Sequence, residues 1–183
     1  MIIMNISEFS ILKNNGFSEA FTSIKSALKY YYSDPEVCCS LFRKALESIL
    51  NDVYSLFGHS VIGQNKLDID NLDKVIPDKF HDDNIILEMH NIRIIGNAYT
   101  HRNDKFDRDA KKDRYTCYVA MKTIARWLIE CKQLYPEYLR EEESRREERK
   151  KKDKKKKQIF TSISLAVLGI VAAVLGINKI GKK

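Results

Sequence analysis

The side chains that could do chemistry are concentrated in the segment HNIRIIGNAYTHRND, which begins at residue 90. Within it Arg93, Asn97 and His101 recur every four residues, so a helix would place them on one face. A histidine at a helix exit is partly exposed and able to exchange protons near neutral pH. Three polar groups on one face therefore form a candidate functional site. The other interpretation is a hydrogen-bonded structural network or a helix cap.

A second polar pair lies in the apolar segment LFRKALE, where Arg43 and Glu47 are four residues apart. Such a pair is either an ion pair that specifies the fold at the wall of a bundle or part of a binding site. We take Arg43 and Glu47, together with His90 and Arg102, as candidate ligand-binding residues.

No motif for a cofactor or a metal is found in the sequence. There is no glycine-rich phosphate loop, no His-Glu-x-x-His and no nucleophile elbow. Of the four cysteines, Cys38 and Cys39 are adjacent while Cys117 and Cys131 are isolated, and none forms a Cys-x-x-Cys pair. The sequence thus predicts no cofactor, no metal site, and reduced cysteines in the core.

The motifs FRKALE at 42–47 and IRxxGNxxxH at 92–101 resemble a bacterial domain of formally unknown function. That domain accompanies type I restriction-enzyme subunits and other defence genes, and it is similar to the HEPN superfamily of all-helical domains. The resemblance covers roughly residues 18–134.

The resemblance implies a dimerising helical bundle in which an arginine and a histidine meet their dimer mates and cleave RNA without a metal. The matching positions are Arg93 and His101, with Asn97 as their polar companion, and the resemblance makes these three the candidate catalytic residues. In this role Arg93 would stabilise negative charge on the phosphate. His101 would take the 2′-hydroxyl proton or protonate the leaving oxygen. Seven residues separate Arg93 from His101, more than in active members, and Ile94 stands where those members carry a polar residue.

Three hypotheses therefore stay open. The chain is a membrane-tethered, metal-independent endoribonuclease that serves as an antiviral-defence or stress effector. Alternatively, it is a module that binds RNA, a nucleotide or a defence-system partner protein. The third hypothesis is a non-catalytic, self-associating module that clusters or recruits partners at the membrane. Each expects a lipid bilayer and a homodimer or higher homo-oligomer as partners.

The elements that must position these residues read as helices throughout, since apolar residues recur at helical period and no strand alternation persists. The sequence predicts an all-α fold, a bundle of four to five helices. The predicted helices cover about 18–32, 35–57, 81–99 and 106–134, with a short one near 67–75. Asp34-Pro35-Glu36 is a helix-start signal, Gly58 is a stop, and Pro136 is expected to break or kink the chain.

Charge is divided unevenly along the chain. The net charge is +7, but residues 1–139 hold 18 basic and 19 acidic side chains, whereas residues 140–157 hold 11 basic and 6 acidic. Residues 159–177 carry no charge, and a helix of that length spans roughly 28 Å, close to the hydrocarbon thickness of a bilayer.

The predicted organisation is a HEPN-like domain at 1–136, a charged helical stalk at 137–158, one transmembrane helix at 159–177 and a basic tail at 178–183. The larger lysine cluster precedes the span and should stay cytoplasmic. We therefore expect a single-pass, tail-anchored membrane protein with its N-terminal domain in the cytoplasm.

Overall fold

The computed structural model describes residues 6–58, 69–101 and 109–180, and it describes side chains up to residue 160 except that of Asp73. Within these residues the regular elements are helices and no strand occurs, which confirms the all-α prediction. The α-helices are α1 (Ser10–Asn14), α2 (Ser18–Lys29), α3 (Pro35–Leu56), α4 (Asp83–Thr100) and α5 (Ala110–Ile180). Short 3-10 helices cover Ile6–Phe9, Ile69–Lys74 and Asp78–Phe80.

Helix α3 begins and ends where its local sequence signals predict. Oδ1 of Asp34 accepts a hydrogen bond from the Val37 amide at 3.0 Å, and Pro35 occupies the first helical position. The helix ends at Leu56, and Gly58 follows with φ +79°, a left-handed conformation that glycine adopts at little cost.

Helix α4 begins slightly later than predicted because Asp82 caps it. Oδ1 of Asp82 accepts from the Asn84 amide at 2.9 Å, which places the first helical residue at Asp83. At the other end the His101 amide donates to the Asn97 carbonyl at 3.0 Å, so His101 lies at the helix exit as predicted.

The two short helices that precede α2, which are the 3-10 helix Ile6–Phe9 and α1, were not predicted. Helix α1 has only five residues, and a helix that short is marginal by itself in water. Phe9 and Leu12 are fully buried, so packing against the bundle, rather than helix propensity, holds this segment. Glu8 adds a hydrogen bond from the Tyr118 hydroxyl at 3.0 Å.

Helix α5 continues through Pro136, so of the two predicted effects, a break or a kink, the break is wrong and the kink stays a prediction. A proline removes one backbone hydrogen bond from a helix interior, a cost of about 3 kcal/mol. The following segment offsets part of that cost with side-chain pairs one turn apart. Arg145, for example, pairs with Glu142 at 2.8 Å and with Glu141 at 3.5 Å.

The core is apolar, and among the described residues no polar or charged residue is fully buried. The candidate site residues therefore lie at its walls. The largest fully buried side chains are Phe9, Leu12, Ile24, Phe42, Leu46, Ile49, Ile69, Leu72, Met89, Ile92, Met121 and Ile124. All four cysteines are buried and free, and burial raises the pKa of Cys38 and of Cys131 to about 12.

The chain divides into two compact units, Met1–Leu134 and Tyr135–Lys183. Among the residues searched, which are those the structure describes, no helix is long and apolar enough to cross a membrane. From residue 161 onward the predicted span lies outside the described side chains, and residues 181–183 of the basic tail lie outside the described residues altogether. The transmembrane helix stays a prediction.

Candidate functional site

The two sequence motifs meet where α3 crosses α4 at Gly96. A Cβ atom built on Gly96 would lie 2.4 Å from the Cβ of Arg43 and 3.2 Å from its Cγ and Cδ. Such distances leave no room for a side chain, so the two helices approach this closely only because residue 96 is glycine. The stem of Arg43 thus packs on the helix that carries the second motif.

Arg43 and Glu47 form the ion pair that their spacing predicts. Nη2 of Arg43 lies 3.2 Å from Oε1 of Glu47, and the side chains are 27% and 42% exposed. The Nε atom of Arg43 is buried and has no hydrogen-bond partner among the described residues. The guanidinium is therefore only partly satisfied by its neighbours, and its exposed side is accessible to a ligand.

Arg93 contacts His90, one turn before it on α4. Nη2 of Arg93 lies 3.0 Å from Nδ1 of His90, and the Nε of Arg93 is buried without a partner in the described structure. A guanidinium only donates hydrogen bonds, so Nδ1 must be the unprotonated nitrogen and Nε2 carries the hydrogen. The contact with Arg93 thus assigns the tautomer of His90.

Asp70 stands on the other side of His90. Its Oδ1 lies 3.6 Å from Nε2 of His90, which is too long for a hydrogen bond, and its side chain is 71% exposed. The side chains of Asp70, His90 and Arg93 nevertheless form a row at the surface of α4. Sequence reasoning missed Asp70, because it lies in the 3-10 helix Ile69–Lys74 and only the packing of that helix brings it near His90.

Asn97 and His101 stand apart from this row. Asn97 is half-buried within α4, whereas His101 is exposed at its end. Within the described residues no side-chain hydrogen bond joins either of them to Arg93, whose contact is with His90. Arg102, the remaining candidate, lies outside the described residues.

The exit of α4 is held by contacts that the sequence did not reveal. The Tyr99 hydroxyl donates to Oδ2 of Asp113 at 2.9 Å, which links the end of α4 to the first turn of α5. The Thr100 hydroxyl donates to the Gly96 carbonyl at 2.8 Å. Together these bonds fix the backbone from which His101 projects.

A second unpredicted polar cluster surrounds Asp52 on α3. Burial, followed by the nearby carboxylate of Glu19, raises the pKa of Asp52 to about 6, while Lys132 acts in the opposite direction. Oδ2 of Asp52 is buried without a partner among the described residues. The Lys132 ammonium donates to the Asn15 carbonyl and lies 4.8 Å from the ring centre of Phe17.

A surface cleft of about 190 Å³ lies at the opposite end of α4 from His101. Phe80 and Trp127 form part of its wall, with His81 and Glu130 among its polar lining residues. The Trp127 indole donates to the Phe80 carbonyl at 3.0 Å. None of the candidate site residues lines this cleft.

Comparison with known proteins places both motifs in one family. The family model described as a domain of unknown function, DUF4145, matches residues 25–156. The chain belongs to the DUF4145 family. This DUF4145 match includes all of α3 and α4, and therefore the Arg43–Gly96 contact. No curated protein and no solved structure matches the chain.

Proposed function

We propose that this DUF4145 chain is a membrane-anchored, HEPN-like domain that acts on or senses RNA or a nucleotide as a prokaryotic antiviral-defence or stress effector. The observation that carries the proposal is the contact of Arg43 with Gly96, 2.4 Å from a Cβ built there. This contact puts two half-buried arginines, Arg43 and Arg93, on adjoining helices whose motifs resemble those of RNA-acting domains.

The arginines are suited to a phosphate because both residues are only partly buried. Their buried Nε atoms have no partner in the described structure, so a ligand would use the outer nitrogens of each guanidinium. Planar guanidinium groups bind phosphate oxygens in a bidentate manner, and a bound phosphate would compete with His90 for Arg93. In this proposal Arg93 binds the phosphate and the exposed His101 transfers the proton.

Binding of RNA or a nucleotide would depend on these local contacts rather than on long-range electrostatic attraction. Residues 1–139 carry 18 basic and 19 acidic side chains, so this part of the chain is nearly neutral. Nonspecific attraction to nucleic acid, which arises from counterion release, should be weak. A nucleotide or an RNA end therefore fits this site better than a long duplex.

The membrane anchor in this proposal rests on the uncharged run 159–177 and the seven lysines between residues 150 and 157. Lysines on one side of a span favour its cytoplasmic orientation, which leaves the N-terminal domain in the cytoplasm. Attachment predicts that the full-length chain sediments with membranes and resists carbonate extraction. Recovery in the soluble fraction without detergent would reject it.

A growth assay tests the proposal. If expression of the wild type arrests growth, Arg93→Ala and His101→Ala should relieve the arrest, whereas the control Lys44→Ala, an exposed neighbour of Arg43 on α3, should not. Purified protein should then cleave or bind single-stranded RNA in the presence of a chelator. Wild-type activity in His101→Ala would reject catalysis by this histidine.

Two truncations separate the domain from the anchor. A chain ending at Gln158 lacks the apolar run, and a chain ending at Ile177 lacks only the basic tail. Loss of the effect in the first and its retention in the second would indicate that the span itself is required. Loss in both would indicate that the basic tail also matters.

An alternative function, a non-catalytic self-associating module that clusters or recruits partners at the membrane, is favoured by one surface feature. Leu87 and Ile94 are 58% and 54% exposed, and their spacing of seven residues puts them on one face of α4. In this alternative, the face of α4 that contains Leu87 and Ile94 contacts a second copy of the chain. Leu87→Glu with Ile94→Glu should produce monomers by sedimentation, and Val119→Glu on α5, 41% exposed, should not.

A further inference from the structure

The basic charge of residues 140–157 is concentrated in the half that lies next to the apolar run. Residues 140–149 hold four arginines and five glutamates, whereas residues 150–157 hold seven lysines and one aspartate. Arginine and glutamate pair with each other in the first half, as Arg145 does with Glu142 at 2.8 Å. The first half is thus nearly neutral, and the second carries a net charge of +6.

The lysines of residues 150–157 surround the helix. All eight residues are helical and exposed, and the segment extends over two turns, a length of about 12 Å. Seven lysines in eight consecutive positions leave no neutral face, so they form a collar rather than a stripe. A partner that docks from one side would contact only part of this collar.

A planar layer of negative charge would surround a helix that passes through it, and would therefore contact the whole collar. The collar ends two residues before Ile159, where the uncharged run begins. All of it lies within about 14 Å of the boundary, and its nearer half lies within the Debye length of about 8–10 Å at physiological salt. Like charges one turn apart destabilise a helix, and anionic headgroups around the collar would relieve this repulsion.

RNA fits the collar less well than lipid does. Single-stranded nucleic acid is held by aromatic side chains between basic ones, and residues 140–157 contain no aromatic residue. We propose that residues 150–157 bind anionic phospholipid headgroups and gather them around the membrane span. The proposal rests on the membrane anchor proposed above.

The test reconstitutes the full-length chain in vesicles of neutral phosphatidylcholine and measures how strongly spin-labelled lipids associate with it. We expect spin-labelled phosphatidylserine to be preferred over spin-labelled phosphatidylcholine by roughly five-fold or more, since even one lysine near the surface contributes about that factor. At high salt the preference should decline toward one, because the Debye length is then about 3 Å at 1 M.

Matched variants locate the effect. Replacing Lys152, Lys154, Lys155 and Lys156 with glutamine should remove most of the preference. Replacing the four arginines of residues 140–149 with glutamine removes the same charge from the first half and should leave it unchanged. An equal loss in both variants would overturn the assignment to residues 150–157.

The outcomes distinguish this inference from the anchor on which it rests. Incorporation into neutral vesicles without any preference for phosphatidylserine would overturn the lipid collar and leave the anchor in place. Failure to incorporate into neutral vesicles would overturn both. Loss of RNA binding in the lysine variant, with lipid preference unchanged, would assign the collar to nucleic acid and overturn the proposal.

Discussion

Gly96→Ala tests the claim that contact between α3 and α4 is set by the absence of a side chain. The new methyl group would lie 2.4 Å from Cβ of Arg43, more than an ångström closer than the about 3.5–4.0 Å at which carbon atoms pack. The opposing atom is a Cβ, which is fixed to the backbone and cannot rotate away. The helices must separate locally, and overpacking of this kind costs about 1–3 kcal/mol.

A gain in helix propensity opposes this cost. Alanine is favoured over glycine in a helix interior by about 1 kcal/mol, so without a clash the substitution would stabilise α4. We expect the clash to exceed that gain and the free energy of unfolding to fall by about 1–2 kcal/mol. Chemical denaturation of the full-length chain in detergent, followed by far-UV circular dichroism, measures the change.

Two backgrounds at residue 43 identify the responsible atom. Arg43→Ala keeps the Cβ and should leave the Gly96→Ala penalty largely in place, although it removes the Cγ and Cδ that would lie at 3.2 Å. Arg43→Gly removes the Cβ, so Gly96→Ala should be neutral or stabilising there. A Gly96→Ala variant that is more stable than the wild type in the native background would refute the reasoning.

Three further predictions concern other described contacts. Because the folded state raises the pKa of the Asp52 carboxyl from 3.8 to about 6, the native protein binds its proton more tightly and loses stability as pH rises through that range. The stability of Asp52→Asn relative to the wild type should therefore increase by about 1 kcal/mol between about pH 4 and about pH 7, after allowance for solvent screening. Urea titrations at several pH values measure this difference in stability, and a difference that does not change with pH would contradict the prediction. Arg93→Ala should lower the free energy of unfolding by about 1–2 kcal/mol because His90 loses its donor, whereas His101→Ala should lower it by less than about 0.5 kcal/mol. Equal losses in the two variants on chemical denaturation would contradict this difference. Trp127→Phe should lower the free energy of unfolding by about 1–3 kcal/mol, because the buried Phe80 carbonyl loses the indole donor that lies at 3.0 Å; an unchanged melting temperature would exclude that role.

Local signals in the sequence were sufficient to predict the start of α3 and the exit of α4. The Asp34 carboxylate caps α3 by accepting from the Val37 amide, three residues later, and His101 is the first residue after α4. Both features depend on interactions within one helical turn, which a linear pattern records. Helix α1 was not predicted, because its five residues are held by burial of Leu12 against distant parts of the chain.

The candidate site was only partly predictable for the same reason. Helical spacing is sufficient to place Arg93 and Asn97 on α4 and to pair Arg43 with Glu47. Spacing cannot say which partner a long side chain selects, and Arg93 contacts His90 rather than the residues one or two turns after it.

By itself the sequence determined that the described part of the chain is helical, where α2 and α3 begin, and how the charge is divided, since all of these follow from composition and short-range patterns. The tertiary structure alone decided that Gly96 lies against Arg43, that Asp70 stands beside His90, and that burial raises the pKa of Asp52. These contacts join residues far apart in the chain, and their energies depend on distance and burial. Neither quantity exists until the helices have packed.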